Sequence, residues 1–190
     1  MERNLTHIAL FAALIAVLGL IPKIDLISGV PITAQSLGIM LCGTVLGAKR
    51  GFLAVVLFVV LVAAGLPLLS GGRGGIGLFV GPSAGYLIGF PFAAFVAGLV
   101  VERWQVRVGV AAFAGAILGG IVVLYAFGIP GMALALGKTL PEAALLATPF
   151  LMGDLIKAVL AALITSRPNH FVGKSSKSPG AMAGCQVLSR

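Results

Sequence analysis

The sequence predicts an all-α polytopic membrane helical bundle of six transmembrane helices, with both ends in the cytoplasm. Three observations predict it. Of 190 residues, 59% are apolar and only 9% carry charge, where a water-soluble domain carries roughly a quarter, and the mean hydropathy is +1.15. Runs free of acidic and basic residues cover 26–48, 51–72, 74–101 and 108–137, each long enough for a crossing, which needs about 20 apolar residues. The basic residues fall in the short links and the tail, not on one face.

Residues 5–21, LTHIALFAALIAVLGLI, make the first apolar segment, closed by Pro22. It lacks a small-residue cleavage site and more apolar segments follow, so it reads as a membrane helix and not as a signal peptide. The loop 22–33, PKIDLISGVPIT, comes next. Residues 34–47 form a short second segment, and Lys49 and Arg50 mark a tight turn. Residues 51–67 are the third segment, rich in valine and leucine, followed by a glycine-rich run. Residues 84–101 make the fourth, closed by ERWQVR, and 108–127 the fifth. The stretch 128–147, GIPGMALALGKTLPEAALLA, reads as a looser connection, and 148–165 make the sixth segment. Residues 1–167 are thus read as one membrane domain, with no soluble domain attached. From Pro168 to residue 190 the chain is rich in Lys, Ser, Pro and Gly, the composition of a disordered tail.

With the N-terminus inside, Arg3, Lys49, Arg50, Arg103, Arg107, Arg167, Lys174, Lys177 and Arg190 lie on inner links or ends. Lys23, Arg73 and Lys138 lie on outer loops. Basic residues favour the cytoplasmic side of short links, which supports N-in, C-in. Trp104 beside Arg103 suits an interfacial anchor. The irregular stretches then all face outward, and non-helical backbone at membrane depth must be covered by protein or line a cavity. An outward-facing cup capped by loops is the expected architecture.

The net charge of +8 raises nucleic acid as a partner. The basic residues form no cluster with interleaved aromatics, which argues against it. Two cysteines, Cys42 and Cys185, make no disulfide framework. The small residues Ala9, Ala13 and Ala16, with Ala12 beside them, lie near one side of segment one. Small side chains let another helix approach closely. The neighbour is either another helix of the same bundle or a separate membrane subunit.

The most informative stretch is MGDLIKAV at 152–159. Asp154 and Lys157 are three apart in an apolar helix and share a face. A charge in the bilayer costs several kcal/mol, so such residues pair or line a site. In this topology Asp154 is expected near the outer end of its helix. Either the pair satisfies itself and orients the helix, or it lines a solute site. A carboxylate accepts N–H groups and an ammonium donates to a carbonyl or an acid, which suits urea-like rings, amides and amino acids.

The run SGGRGGIGLFVGPSAGYLIGF at 70–90 raises the possibility of a phosphate cradle. The P-loop pattern requires GK[ST] before a helix, and Ile76 follows Gly74 and Gly75 instead. The glycines serve positive φ or close approach to a ligand. Arg73 is placed either to hold an anionic group or to snorkel outward. Tyr86 either stacks on a flat solute or packs in the core. Gln35, opening segment two, is a candidate pocket amide, whereas Asn4 and His7 sit at the inner end.

Together, VPITAQ at 30–35, GLPLLSGGRGGIG at 65–77, GPSAGYLIGF at 81–90 and GDLIK at 153–157 resemble the BioY family of biotin transport proteins, in order and spacing, over about residues 5–166. The resemblance implies the substrate-binding S component of an energy-coupling-factor (ECF) transporter, a multi-pass protein of the cell membrane. It implies six membrane helices, a loop-covered biotin site near the outer face, a membrane coupling subunit and cytoplasmic ATPase subunits as partners. Biotin is then cargo and no cofactor or catalysis is implied. The acid–base pair of the last helix, Asp154 and Lys157, corresponds to groups that engage the biotin head. The loop residues Thr33, Gln35, Arg73, Gly74 and Ser83, with Tyr86, complete the implied ligand-binding set, Arg73 toward the valerate carboxylate. Ala9, Ala12, Ala13 and Ala16 correspond to the coupling surface. Ser83 and Ala84 stand where similar proteins carry threonine and glycine, and Phe58 where a tyrosine is common. Alternative readings are an S component for another small vitamin, a structural membrane subunit, and a membrane enzyme, against which stands the lack of a triad, metal cluster or HExxH.

Overall fold

In a computed structural model, residues 2–23 and 30–166 are described. Among them there is no β-strand; an isolated bridge joins Leu69 and Arg73. The helices are α1 (Glu2–Leu18), α2 (Gln35–Leu46), α3 (Ala48–Ala63), a 3-10 turn (Ile76–Phe79), α4 (Ala84–Arg103), α5 (Val108–Ile117), α6 (Leu124–Leu136) and α7 (Leu140–Ser166). A π-helical segment, Leu118–Val123, joins α5 to α6 without a break, so the elements make six rods. Three rods are long and apolar enough to cross a membrane: Ala84–Arg103, Val108–Leu136 and Leu140–Ser166. The remaining apolar helices are shorter. The expected tail at 168–190 and part of the first loop, 24–29, lie outside the described residues.

The stretch 128–147 differs from its expected reading. It is helical except for a short link at 137–139. Pro130 and Pro149 sit inside helices, tolerated at membrane depth because neighbouring helices satisfy the freed groups. The glycines there are packing surfaces. A Cβ on Gly85 would lie 2.9 Å from Gly131 Cα, and one on Gly128 would overlap the Tyr86 ring. The link stops at a capping box: Glu142 Oε2 accepts from the Thr139 backbone N–H and hydroxyl, both at 2.9 Å. Gly137, in the left-handed region at φ 63, closes α6.

Two other boundaries shift. Lys49 and Arg50 belong to the first turn of α3, and the link to α2 is Gly47 alone, held at φ 84. Glu102 at the end of α4 caps the α3 start, accepting from Ala48 N–H at 2.9 Å. Helix α1 ends at Leu18, ahead of the proline.

Helix α4 is the hub, packing on α2, α3, α5 and α6. Gly43 and Gly98 let α2, α3 and α4 approach to backbone contact, and Gly115 and Gly119 do so for α5 and α4. The apolar core around Ile15, Ile39, Phe58 and Leu87 fills the centre. Helices α2 and α7 run parallel: Ser36 meets Asp154 at one end, and Thr44 meets Thr165 at 3.0 Å at the other.

Of the four small residues of α1, Ala9 and Ala13 are exposed, Ala16 is half-buried and Ala12 is buried in the core. The stripe therefore divides: Ala12 packs inward, Ala16 is half-buried against the core, and Ala9 and Ala13 are presented outward.

Candidate functional site

The site begins with a mismatch of lengths. Helix α7 has 27 residues, about 40 Å at 1.5 Å per residue. Helix α2 has 12, about 18 Å. Beside the middle of α7, residues 30–33 therefore run as irregular backbone, and Ala34 turns into α2. Irregular backbone at this depth must line a cavity or be covered by protein, and both occur here.

Asp154 lies about 21 Å along α7 from Leu140, deeper than the helix end the sequence suggested. Its Oδ1 accepts from Ser36 Oγ and from Lys157 Nζ, each at 3.0 Å. Its Oδ2 accepts from the Tyr125 hydroxyl at 3.0 Å. Lys157 Nζ also donates to Ser36 Oγ at 2.8 Å. The two charged side chains are 8% and 14% exposed, Asp154 the more buried. Buried ions survive only when paired and hydrogen-bonded, and four residues from three helices meet that condition here.

This network forms one wall of a cavity of about 60 Å³, the share of about two water molecules. The facing walls are Thr33 and its neighbours Val30–Ile32, Tyr86 and Phe90 of α4, Leu124 of α6 and Phe150 of α7. The Tyr86 ring is held edge-on to Tyr125 and tilted against Phe150, both at 6.2 Å. Its buried hydroxyl has no hydrogen-bond partner among the described residues. An unsatisfied buried hydroxyl costs about 1–3 kcal/mol, so this one is a group awaiting a polar contact. The helical walls interlock through glycine contacts. The loop wall, 30–33, is the one wall of the cavity that is not helical.

A roomier groove of about 420 Å³ lies between the 3-10 turn, α4 and α6. Its walls are aliphatic or aromatic, Val80, Ile88, Phe127 and Leu134 among them, with no polar side chain. It lacks groups to orient a polar solute, so the smaller, charged cavity is the candidate site.

The structure brings together Asp154, Lys157, Thr33 and Tyr86. It places the other sequence-derived candidates elsewhere. Gln35 is buried and fully engaged: Nε2 donates to the Ile15 and Leu68 carbonyls at 3.3 and 3.0 Å, and Oε1 accepts from Ser70 N–H and Oγ at 3.2 and 3.4 Å. It clamps the glycine loop to α1. Arg73 Nε donates to the Ser70 carbonyl at 3.3 Å, outside the cavity lining. Gly74 packs against the Leu66 carbonyl. Ser83 is half-buried at the start of α4 and makes no side-chain cap. Phe58, where a tyrosine was expected, is fully buried in the core.

Sequence reasoning missed Ser36 and Tyr125. Ser36 carries no signal beyond its place after Gln35. Tyr125 did: the chain has two tyrosines, and both meet at this site.

Comparisons with known proteins identify the family. The BioY family model matches residues 2–174. The biotin transporter BioY of Rhodobacter capsulatus is 56% identical over 174 residues, covering 86% of this chain and 92% of that protein. Its counterpart from Rhizobium etli is 52% identical, covering 85% and 90%. Among solved structures, the S-component for biotin from an ECF-type ABC transporter superposes with a TM-score of 0.83 at 32% identity, covering 87% of this chain and 89% of that one. The match spans every element that builds the cavity, and on this evidence the chain belongs to the BioY family.

Proposed function

We propose that this chain is the biotin-binding S component of an ECF-type transporter, a six-span protein of the cell membrane with both ends inside. The observation that carries the reading is the buried Asp154–Lys157 pair beside a cavity walled by aromatic rings and an unpartnered phenol. The parallel run of α2 and α7 supports the topology, because a second and a sixth span point the same way. Relatives named as biotin transporters and a neighbour named as the S-component for biotin supply the solute.

The ureido ring of biotin presents two N–H donors and one carbonyl. Asp154 accepts an N–H, and Lys157 donates to the carbonyl while holding the acid. Tyr86 takes a remaining polar edge, and Phe90, Leu124 and Phe150 pack on the thiophane ring. Thr33 closes the loop side. Gln35, Gly74 and Ser83 shape the loops that cover the site. Arg73 serves the glycine loop, since its Nε is spent on Ser70. A solute lacking these polar groups leaves buried partners bare, which makes the discrimination strong. No bond in the solute is broken. Ala9, Ala13 and Ala16 form the face toward a membrane coupling subunit, with ATPase subunits on the cytoplasmic side.

The test is binding of radiolabelled biotin to the purified chain, with Asp154→Asn beside it. Saturable binding lost in the variant is the expected result. A folded wild-type protein that never binds biotin refutes the proposal. Copurification with a coupling subunit and ATPases, weakened by Ala13→Leu, tests the partner assignment.

A further inference from the structure

The two oxygens of Asp154 are used differently. Oδ1 is shared by Ser36 and Lys157, and both of these residues line the cavity. Oδ2 is held by Tyr125, which is not among the lining residues. The carboxylate thus has a cavity-facing oxygen and a rear oxygen, and the rear one is fixed by a residue the solute does not meet.

That rear contact matters because the terminal torsion of an aspartate is soft, with a broad two-fold profile. Two donors on Oδ1 leave the carboxylate free to swing about that oxygen. A third donor on Oδ2 defines the plane. The chain reaches this arrangement through an irregularity. The π-helical segment Leu118–Val123 ends immediately before Leu124 and Tyr125. One extra residue in a helical turn rotates everything after it by about 100°. The first residue after the π-helical segment lines the cavity and the second reaches Asp154. The edge-on contact with Tyr86 then fixes the Tyr125 ring.

We infer that Tyr125 is a positioning residue for solute recognition: its hydroxyl sets the plane of the Asp154 carboxylate so that Oδ1 is presented to the solute's N–H. The solute step rests on the biotin reading above; the orientation of the carboxylate does not.

Two measurements test it on the full chain. Asp25 and Asp154 are the only aspartates. Aspartate labelled with ¹³C at the side-chain carboxyl, in an Asp25→Asn background, therefore gives an infrared carboxylate band of Asp154 alone. Tyr125→Phe keeps the ring and removes the donor. The band is expected to shift and broaden, and the affinity for biotin to fall about tenfold, the scale of one hydrogen bond to a charged group. Affinity for a biotin analogue methylated on its ureido nitrogens is expected to stay unchanged. An unmoved band overturns the inference. So does a moved band with undiminished biotin affinity, or an equal loss for both ligands. If Tyr125→Phe does not fold, 3-fluorotyrosine in its place keeps the hydroxyl and strengthens the donor; the same band must then move, and a still band overturns the inference. A wild-type chain that binds no biotin refutes the proposed function and is separable from these outcomes, because the infrared arm needs no solute.

Discussion

Removing the Asp154 side chain tests solute binding and fold stability separately. Asp154→Ala deletes three hydrogen bonds of 3.0 Å and leaves Lys157, 14% exposed, with Ser36 as its remaining described partner. Breaking a buried ion pair by removing one member costs about 3–5 kcal/mol, because a charge is left uncompensated. At about 2–4 °C per kcal/mol for a chain of this size, the melting temperature is expected to fall by about 10 °C. In Asp154→Ala/Lys157→Met the stranded charge is gone. What remains is mainly the Tyr125 hydroxyl without its acceptor, about 1–3 kcal/mol, because Ser36 Oγ still has the Thr33 carbonyl at 3.5 Å, so most of the stability returns. Binding does not return, because the groups that match the urea are absent. Losing one or two charge-assisted hydrogen bonds is worth about 3 kcal/mol, more than a hundredfold in affinity. The assay pairs thermal unfolding in detergent with radiolabelled biotin binding on the same preparations. A double variant that binds biotin within tenfold of wild type refutes the reasoning, as does a single variant that melts where wild type does.

Gly128→Ala forces a methyl into the Tyr86 ring and is expected to weaken biotin binding at least tenfold while the protein still folds, read by titration calorimetry. Gln35→Leu strands the Ser70 N–H and the Leu68 carbonyl, while the Ile15 carbonyl keeps the Gly19 N–H, and is expected to cost about 3 kcal/mol of stability, measured by thermal unfolding. Arg73→Ala is expected to leave biotin affinity within about threefold of wild type, since the bond it loses is a loop contact of no more than about 1 kcal/mol; a loss of tenfold or more would move Arg73 into the site. Glu102→Ala removes the cap on α3 and is expected to cost about 1 kcal/mol, with Glu102→Gln recovering most of it in the same melting assay.

The sequence makes the membrane class legible because composition and charge-free runs are properties of the chain itself. Asp154 and Lys157 are legible for the same reason: two charges in an apolar helix have no cheap alternative to meeting each other. The stretch 128–147 was harder. Gly128, Pro130 and Gly131 look like loop residues when read one at a time, and only their contacts with Tyr86 and Gly85 show them to be a packing surface. The Thr139–Glu142 spacing fits a helix start, a signal that the reading of this stretch as a looser connection left unused. Gln35 was read as a candidate pocket amide, whereas its partners at 15, 68 and 70, set by tertiary structure, make it a clamp outside the cavity lining. The π-helical segment has no periodicity that marks it, so the place where Tyr125 reaches α7 was out of reach.

The depth of Asp154 along α7 has an electrical consequence. Asp154 has about 21 Å of helix to one side and about 18 Å to the other, so in the proposed transporter a solute group bound to it lies near the middle of a membrane-crossing helix. Moving one elementary charge through the whole layer against 100 mV takes about 2.3 kcal/mol. In the proposed transporter it is the uncharged ureido head that reaches Asp154, so seating the head at that depth costs nothing against the potential, and only the carboxylate tail, held nearer the entrance, feels it.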